Sequence, residues 1–182
     1  ATIARFHLAF STQGPSLRFN SFGRLPQAYY PDFRRLLTET DRTGRQSSFV
    51  AHEADFQYVK GLEDRNLVVP AVGDFGGDRA LAGTAEWLRA HHETVSAFYT
   101  SNVEQYLFRD GAFDRFARSV AELPRTAASV MLRSYFQGNH PQSVPGYHAT
   151  QLTQFIDRFA GVQAAGGFGS YVALVTREIV PP

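Results

Sequence analysis

Six consecutive apolar residues, Leu67-Val68-Val69-Pro70-Ala71-Val72, run directly into Gly73-Asp74-Phe75-Gly76-Gly77. An unbroken apolar run ended by a glycine-rich turn is the pattern of a strand buried on both faces of a parallel sheet. Pro70 cannot donate to a ladder, so the strand carries an irregularity or sets Pro70 where no donor is needed. Asp78 is placed to cap a helix over 79–92, with Leu81, Ala85 and Leu88 on one face and Trp87 beside it. Residues 94–100 then return as a strand, which makes strand, turn, helix, strand: a βαβ unit with an expected right-handed crossover.

The rest of the chain is fitted around that unit. Phe6, Leu8 and Phe10 alternate, as do Leu17, Phe19 and Ser21, on either side of Gln13-Gly14-Pro15-Ser16, which predicts an N-terminal antiparallel hairpin. A loop over 23–31 leads to a short helix opened by Pro31-Asp32 and continuing through Phe33, Leu36 and Leu37. Residues 40–44 read as a polar turn, 48–51 as a short strand, and 53–65 as a helix stopped at Asn66. Further on come an aromatic stretch through Tyr106 and Phe108, a helix with Phe113, Phe116 and Val120 closed by Pro124, and a strand over 129–136. Residues 138–146 form a Pro-containing loop. A helix from Thr150 would carry Leu152, Phe155, Ile156 and Phe159 on one side as far as Gly161, and a last strand spans 171–176. No internal repeat or domain boundary stands out.

With 182 residues and 43% apolar side chains, the chain has the size of a single α/β domain over 1–182. Neither disorder nor a disulfide scaffold fits, since apolar content is high and cysteine is absent. Charges nearly cancel, 18 basic against 17 acidic, which argues against nucleic acid as a partner. No apolar run approaches the roughly 20 residues that cross a bilayer. The cytoplasm is the default compartment, with processed export left open.

Two constellations carry candidate chemistry. Gly73, Asp74, Gly76 and Gly77 follow a predicted strand and open a predicted helix, where open α/β sheets bind ligands. The spacing is neither a dinucleotide fingerprint nor a P-loop. Two acids there suit hydroxyl, amine or sulfonium groups better than phosphate; in the plainer alternative the glycines turn the chain and Asp78 caps the helix. Ser101, Asn102 and Glu104 end the next strand and would share a crevice with Asp74 if the strands are neighbours; in the alternative they cap local backbone. Asp74 or Glu104 would serve as base and Asn102 as a positioning group, with Gly73, Gly76, Gly77 and Ser101 around the ligand. His91 and His92 are adjacent on a helix end and diverge, His52 heads an acidic helix start, and His140 and His148 flank a Pro-rich loop as surface residues, so no metal site is assigned. No G-x-S-x-G elbow surrounds any serine.

The stretches Asn66-Leu67-Val68-Val69-Pro70-Ala71-Val72-Gly73-Asp74-Phe75-Gly76-Gly77 and Val95-Ser96-Ala97-Phe98-Tyr99-Thr100-Ser101-Asn102-Val103-Glu104-Gln105-Tyr106-Leu107-Phe108, together with Ser48-Phe49-Val50-Ala51, resemble a poorly characterised bacterial methyltransferase-like family. The match runs over about residues 47–110. The resemblance implies that the chain is the C-terminal part of a larger protein, with S-adenosylmethionine as the cofactor of the preceding half. The usual motif for that cofactor is absent from this chain, and the resemblance carries over no catalytic residue.

The expected fold is thus α/β, a Rossmann-like mixed sheet flanked by helices with an N-terminal hairpin. The expected function is a methyltransferase-like protein binding a small molecule at the C-terminal ends of its strands. The alternative is a non-enzymatic subunit or interaction domain that meets a protein partner or a second copy of itself.

Overall fold

The computed structural model describes residues 2–18, 30–41, 43–136, 139–147 and 149–181. The chain forms two compact units, Ala1–Pro70 and Ala71–Pro182.

The first unit is helical. α1 (Thr2–Gln13) runs into a 3-10 turn at Gly14–Ser16, followed after the undescribed residues 19–29 by α2 (Phe33–Thr38) and α3 (Glu53–Asp64). The predicted hairpin is therefore corrected: Phe6, Leu8 and Phe10 alternate within a helix and stay largely exposed. Alternation selects a strand only where a ladder and a sheet face exist to receive it, and residues 2–13 hold neither Gly nor Pro to interrupt a helix. Phe19, Ser21 and most of the predicted 23–31 loop lie outside the described residues. α2 begins as predicted, with Asp32 accepting a hydrogen bond from the Arg35 amide at 2.8 Å. In the predicted polar turn, Asp41 gathers bonds from the amides of Thr43 and Arg45 and from the Thr43 hydroxyl. Residues 48–51 form a turn closed by the Ala51 amide on the Ser48 carbonyl, not the predicted strand. α3 stops where Asn66 takes a left-handed φ of 54°.

Every buried apolar side chain among the described residues lies in the second unit, between Leu81 and Val175. There, α4 (Ala80–Ala90) precedes β1 (Val95–Ser101), α5 (Val103–Arg109), α6 (Phe113–Ala121), β2 (Arg125–Tyr135), β3 (Thr150–Phe155), α7 (Ile156–Ala164) and α8 (Tyr171–Thr176). The sheet has the order β1-β2-β3, with β1 parallel to β2 and β2 antiparallel to β3. This is a mixed α/β architecture, with helices on the three-stranded sheet. A βαβ unit is present, but it runs from β1 through α5 and α6 to β2, one step later in the chain than expected.

The register sorts side chains by face. Phe98, Thr100, Met131, Arg133, Leu152 and Gln154 share one face; Phe98 and Met131 pack with Phe116 of α6 and Ile156 and Phe159 of α7, and Leu152 with Tyr135 and Val175. Tyr99, Leu132 and Thr153 lie across the other face with Ala97, Val130 and Phe155, all exposed or half-buried. α6 commits Phe113, Phe116, Ala117 and Val120 to the core, the pattern expected of an amphipathic helix.

Four further expectations are corrected here. Residues 67–72 join no strand, and Leu67, Val68, Val69 and Val72 are exposed. α4 is capped at Arg79 without a side-chain bond, so Asp78 does not cap it. The helix expected from Thr150 is β3 as far as Phe155, because Thr150, Leu152 and Gln154 alternate inward against β2. The expected last strand is α8, which Ser170 starts by accepting from the Ala173 amide at 3.1 Å. No described helix is long and apolar enough to cross a membrane.

Candidate functional site

β1 ends in a tight corner. The β1-β2 register shifts between Tyr99 and Ser101, and Ser101 holds a φ of 53°, a left-handed backbone that costs a serine free energy. The chain turns there into α5, and Glu104 in its first turn is carried beneath the sheet, where it is 0% exposed. Its carboxylate accepts from Arg133 Nε at 2.8 Å and from the Thr100 hydroxyl at 3.0 Å. Arg133, on β2, is equally buried. Its Nη2 meets Met131 Sδ at 3.3 Å, and its Cζ lies 5.7 Å from the centre of the Phe159 ring.

Burial pushes the Glu104 carboxyl above its ordinary range, outweighing the opposing pull of the Arg133 charge and of the hydrogen bonds from Arg133 and Thr100. Tyr171, half-buried nearby, is pushed up to about 12, first by desolvation and then by the negative charge of Glu104. The arrangement clamps α5 to β2. Both carboxylate oxygens are engaged, and the two charged groups compensate each other out of water.

The Asp74 loop is built differently. Asp74 is exposed, and its Oδ1 accepts from the Gly76 amide at 2.9 Å while its carbonyl accepts from Gly77 at 3.1 Å. A Cβ on Gly76 would stand 2.8 Å from Ala112 Cβ and 3.2 Å from Leu107 Cδ2. A Cβ on Gly73 would collide with that of Ala80. Phe75 sets its ring edge to face with Phe98 and Phe116, and Arg115 Nε donates to the Gly76 carbonyl at 2.8 Å. Gly76 lets the loop press onto the corner between α5 and α6, and Gly73 lets it pass close to the start of α4. An open cavity of about 520 Å³ lies beside it, between Asp74 and Arg79.

Ser101, Asn102 and Glu104 thus fall within one turn, with Asn102 at the α5 N-cap and making no side-chain cap bond. No hydrogen bond among the described residues joins Asp74 to any of them. Arg133 was missed by sequence reasoning, although a lone charge within Val130-Met131-Leu132-Arg133-Ser134-Tyr135 signals a buried counter-charge. His140 is buried, which corrects its expected surface position: Nδ1 accepts from the Gln142 amide at 3.0 Å, so Nε2 carries the proton it donates to the Val175 carbonyl at 2.9 Å. His148 lies outside the described residues. No group of three or more potential metal ligands occurs among the described residues.

On the accessible face of the sheet, the Tyr99 hydroxyl shares a hydrogen bond with Ser134 Oγ at 2.8 Å, and Ser134 Oγ accepts from Gln151 Nε2 at 3.0 Å. The Tyr99 ring itself is 57% exposed. One residue from each strand thereby fixes an exposed aromatic group in place.

No curated protein matches the chain. The resemblance to a methyltransferase-like family is overturned by the comparison with known families: the family that matches covers residues 19–164 and is described without any activity. Both long motifs fall inside that span, so they lend no ground to S-adenosylmethionine. The match takes in most of the 182 residues, and the chain belongs to the family described as Domain of unknown function (DUF7790).

Proposed function

We propose that the chain is a non-enzymatic polypeptide-binding module, one component of a larger assembly, which docks through the accessible face of its sheet. The observation that carries this reading is Tyr99, exposed yet held through Ser134 and Gln151, on the same sheet face as Ala97, Val130, Leu132 and Phe155. Rigid aromatic anchors ringed by smaller apolar groups are the usual energetic centres of protein interfaces. Parallel strand pairs are ordinarily covered on both faces, so a partner laid on β1 and β2 would supply the second layer of a Rossmann-like arrangement.

The test compares the native mass of the protein recovered gently from its own cells with that of Tyr99→Asp and Phe155→Ser variants. The expected result is a complex for the wild type and a monomer for the variants, all with similar thermal unfolding. A wild-type monomer, or a complex indifferent to both substitutions, would overturn the reading.

A second reading, small-molecule binding at the Asp74 loop, is favoured by the cavity between Asp74 and Arg79. Amine and polyol fragments should then shift the amide resonances of residues 73–79. Unmoved resonances across such a fragment set would sink it.

A further inference from the structure

Among the described residues, three buried polar atoms of the second unit lack partners, Arg133 Nη1, Gln154 Oε1 and Gln163 Oε1, and the first two are complementary and share a sheet face. Arg133 Nη1 is a donor, Gln154 Oε1 is an acceptor, and neither side chain is exposed at all. Leaving such groups dry costs each its full desolvation penalty, more where one is charged.

The register brings them to the same place. Met131 stands opposite Gln154 and Arg133 opposite Leu152, so Arg133 and Gln154 are diagonal neighbours on the helix-covered face. Nη2 is engaged with Met131 Sδ, whose residue stands opposite Gln154, and Nε with Glu104, which leaves Nη1 as the guanidinium nitrogen without a bond. Gln154 is oriented from the other side, because its Nε2 donates to the Arg177 carbonyl at 3.0 Å and leaves Oε1 as the atom without a bond. Phe159 lies beneath the guanidinium.

We propose that an internal water-binding site lies between Arg133 and Gln154, its guest accepting from Arg133 Nη1 and donating to Gln154 Oε1. The chemistry of the two walls selects the guest. A cation would be repelled by the guanidinium and an anion by the amide oxygen, whereas a water molecule offers one acceptor and one donor. Diagonal positions on a sheet stand about 7–8 Å apart, a span that two long side chains and one water can bridge.

The site is independent of the proposed docking face, which is on the opposite side of the sheet. A crystal structure of the wild-type chain that shows ordered solvent should reveal one water within hydrogen-bonding distance of both atoms. Oxygen-17 relaxation dispersion in solution should count one long-lived water more in the wild type than in Gln154→Leu. A direct bond between Nη1 and Oε1, a dry gap, or equal numbers of long-lived waters in the two proteins would each overturn the proposal.

Discussion

Glu104 and Arg133 show how differently a charge pair behaves when it is removed by halves or whole. Truncating one member strands the other in a dry interior, while replacing both by apolar groups removes two desolvation costs together. Arg133→Met should therefore lower stability by about 3–5 kcal/mol. The double variant Glu104→Leu/Arg133→Met should recover most of that loss, as read from urea unfolding. The pair also sets a pH dependence. Burial makes the folded chain hold the Glu104 proton more tightly than the unfolded chain does, so the folded state binds more protons between the ordinary value of 4.5 and the raised folded value. The stabilising contribution is complete below 4.5 and is lost as pH rises through the folded value. Urea midpoints of the wild type should fall across that window relative to those of Glu104→Gln, whose position 104 has no proton to lose.

Elements were legible where their own residues decide them. Asp32 starts α2, Asn66 stops α3, and the spacing of Phe113, Phe116 and Val120 makes α6 a helix wherever it packs. Elements that depend on a distant partner were not. The apolar run at 67–72 has every local mark of a buried strand, yet burial is granted by neighbours, and it lies exposed outside the ladder. The Thr150 segment failed in the opposite direction: its inward alternation has meaning only once β2 lies beside it. The candidate site divides in the same way. Local sequence placed Asp74 in a glycine-rich loop and Ser101, Asn102 and Glu104 at the end of a strand, but the inward path of Glu104 follows from the left-handed corner at Ser101, the helix α5 that begins there and Arg133, 29 residues on. The difference between an exposed run and a central strand is measurable. Val72→Lys should change stability by no more than about 0.5 kcal/mol, the range of ordinary surface substitutions. A buried strand position would lose several times that in the same denaturation experiment.

Across the whole chain, buried apolar contacts are unevenly shared, since those among the described residues belong to the second unit. A fragment spanning 71–182 should therefore unfold in one cooperative transition and keep the near-ultraviolet circular dichroism of packed aromatic rings such as Phe113, Phe116, Phe159 and Phe168. A gradual transition without that signal would show that the core needs residues 1–70. The position of α8 has a further consequence for the order in which the protein is made. Leu174 and Val175 are fully or almost fully buried, so the core opened by Leu81 is closed only when they arrive. At a synthesis rate of about 5–20 residues per second, that interval lasts roughly 5–20 s. The rings of α6 are made well before that cover and those of α7 only shortly before it, so the nascent chain carries the apolar face of α6 without its final cover for much of the time this unit takes to be translated.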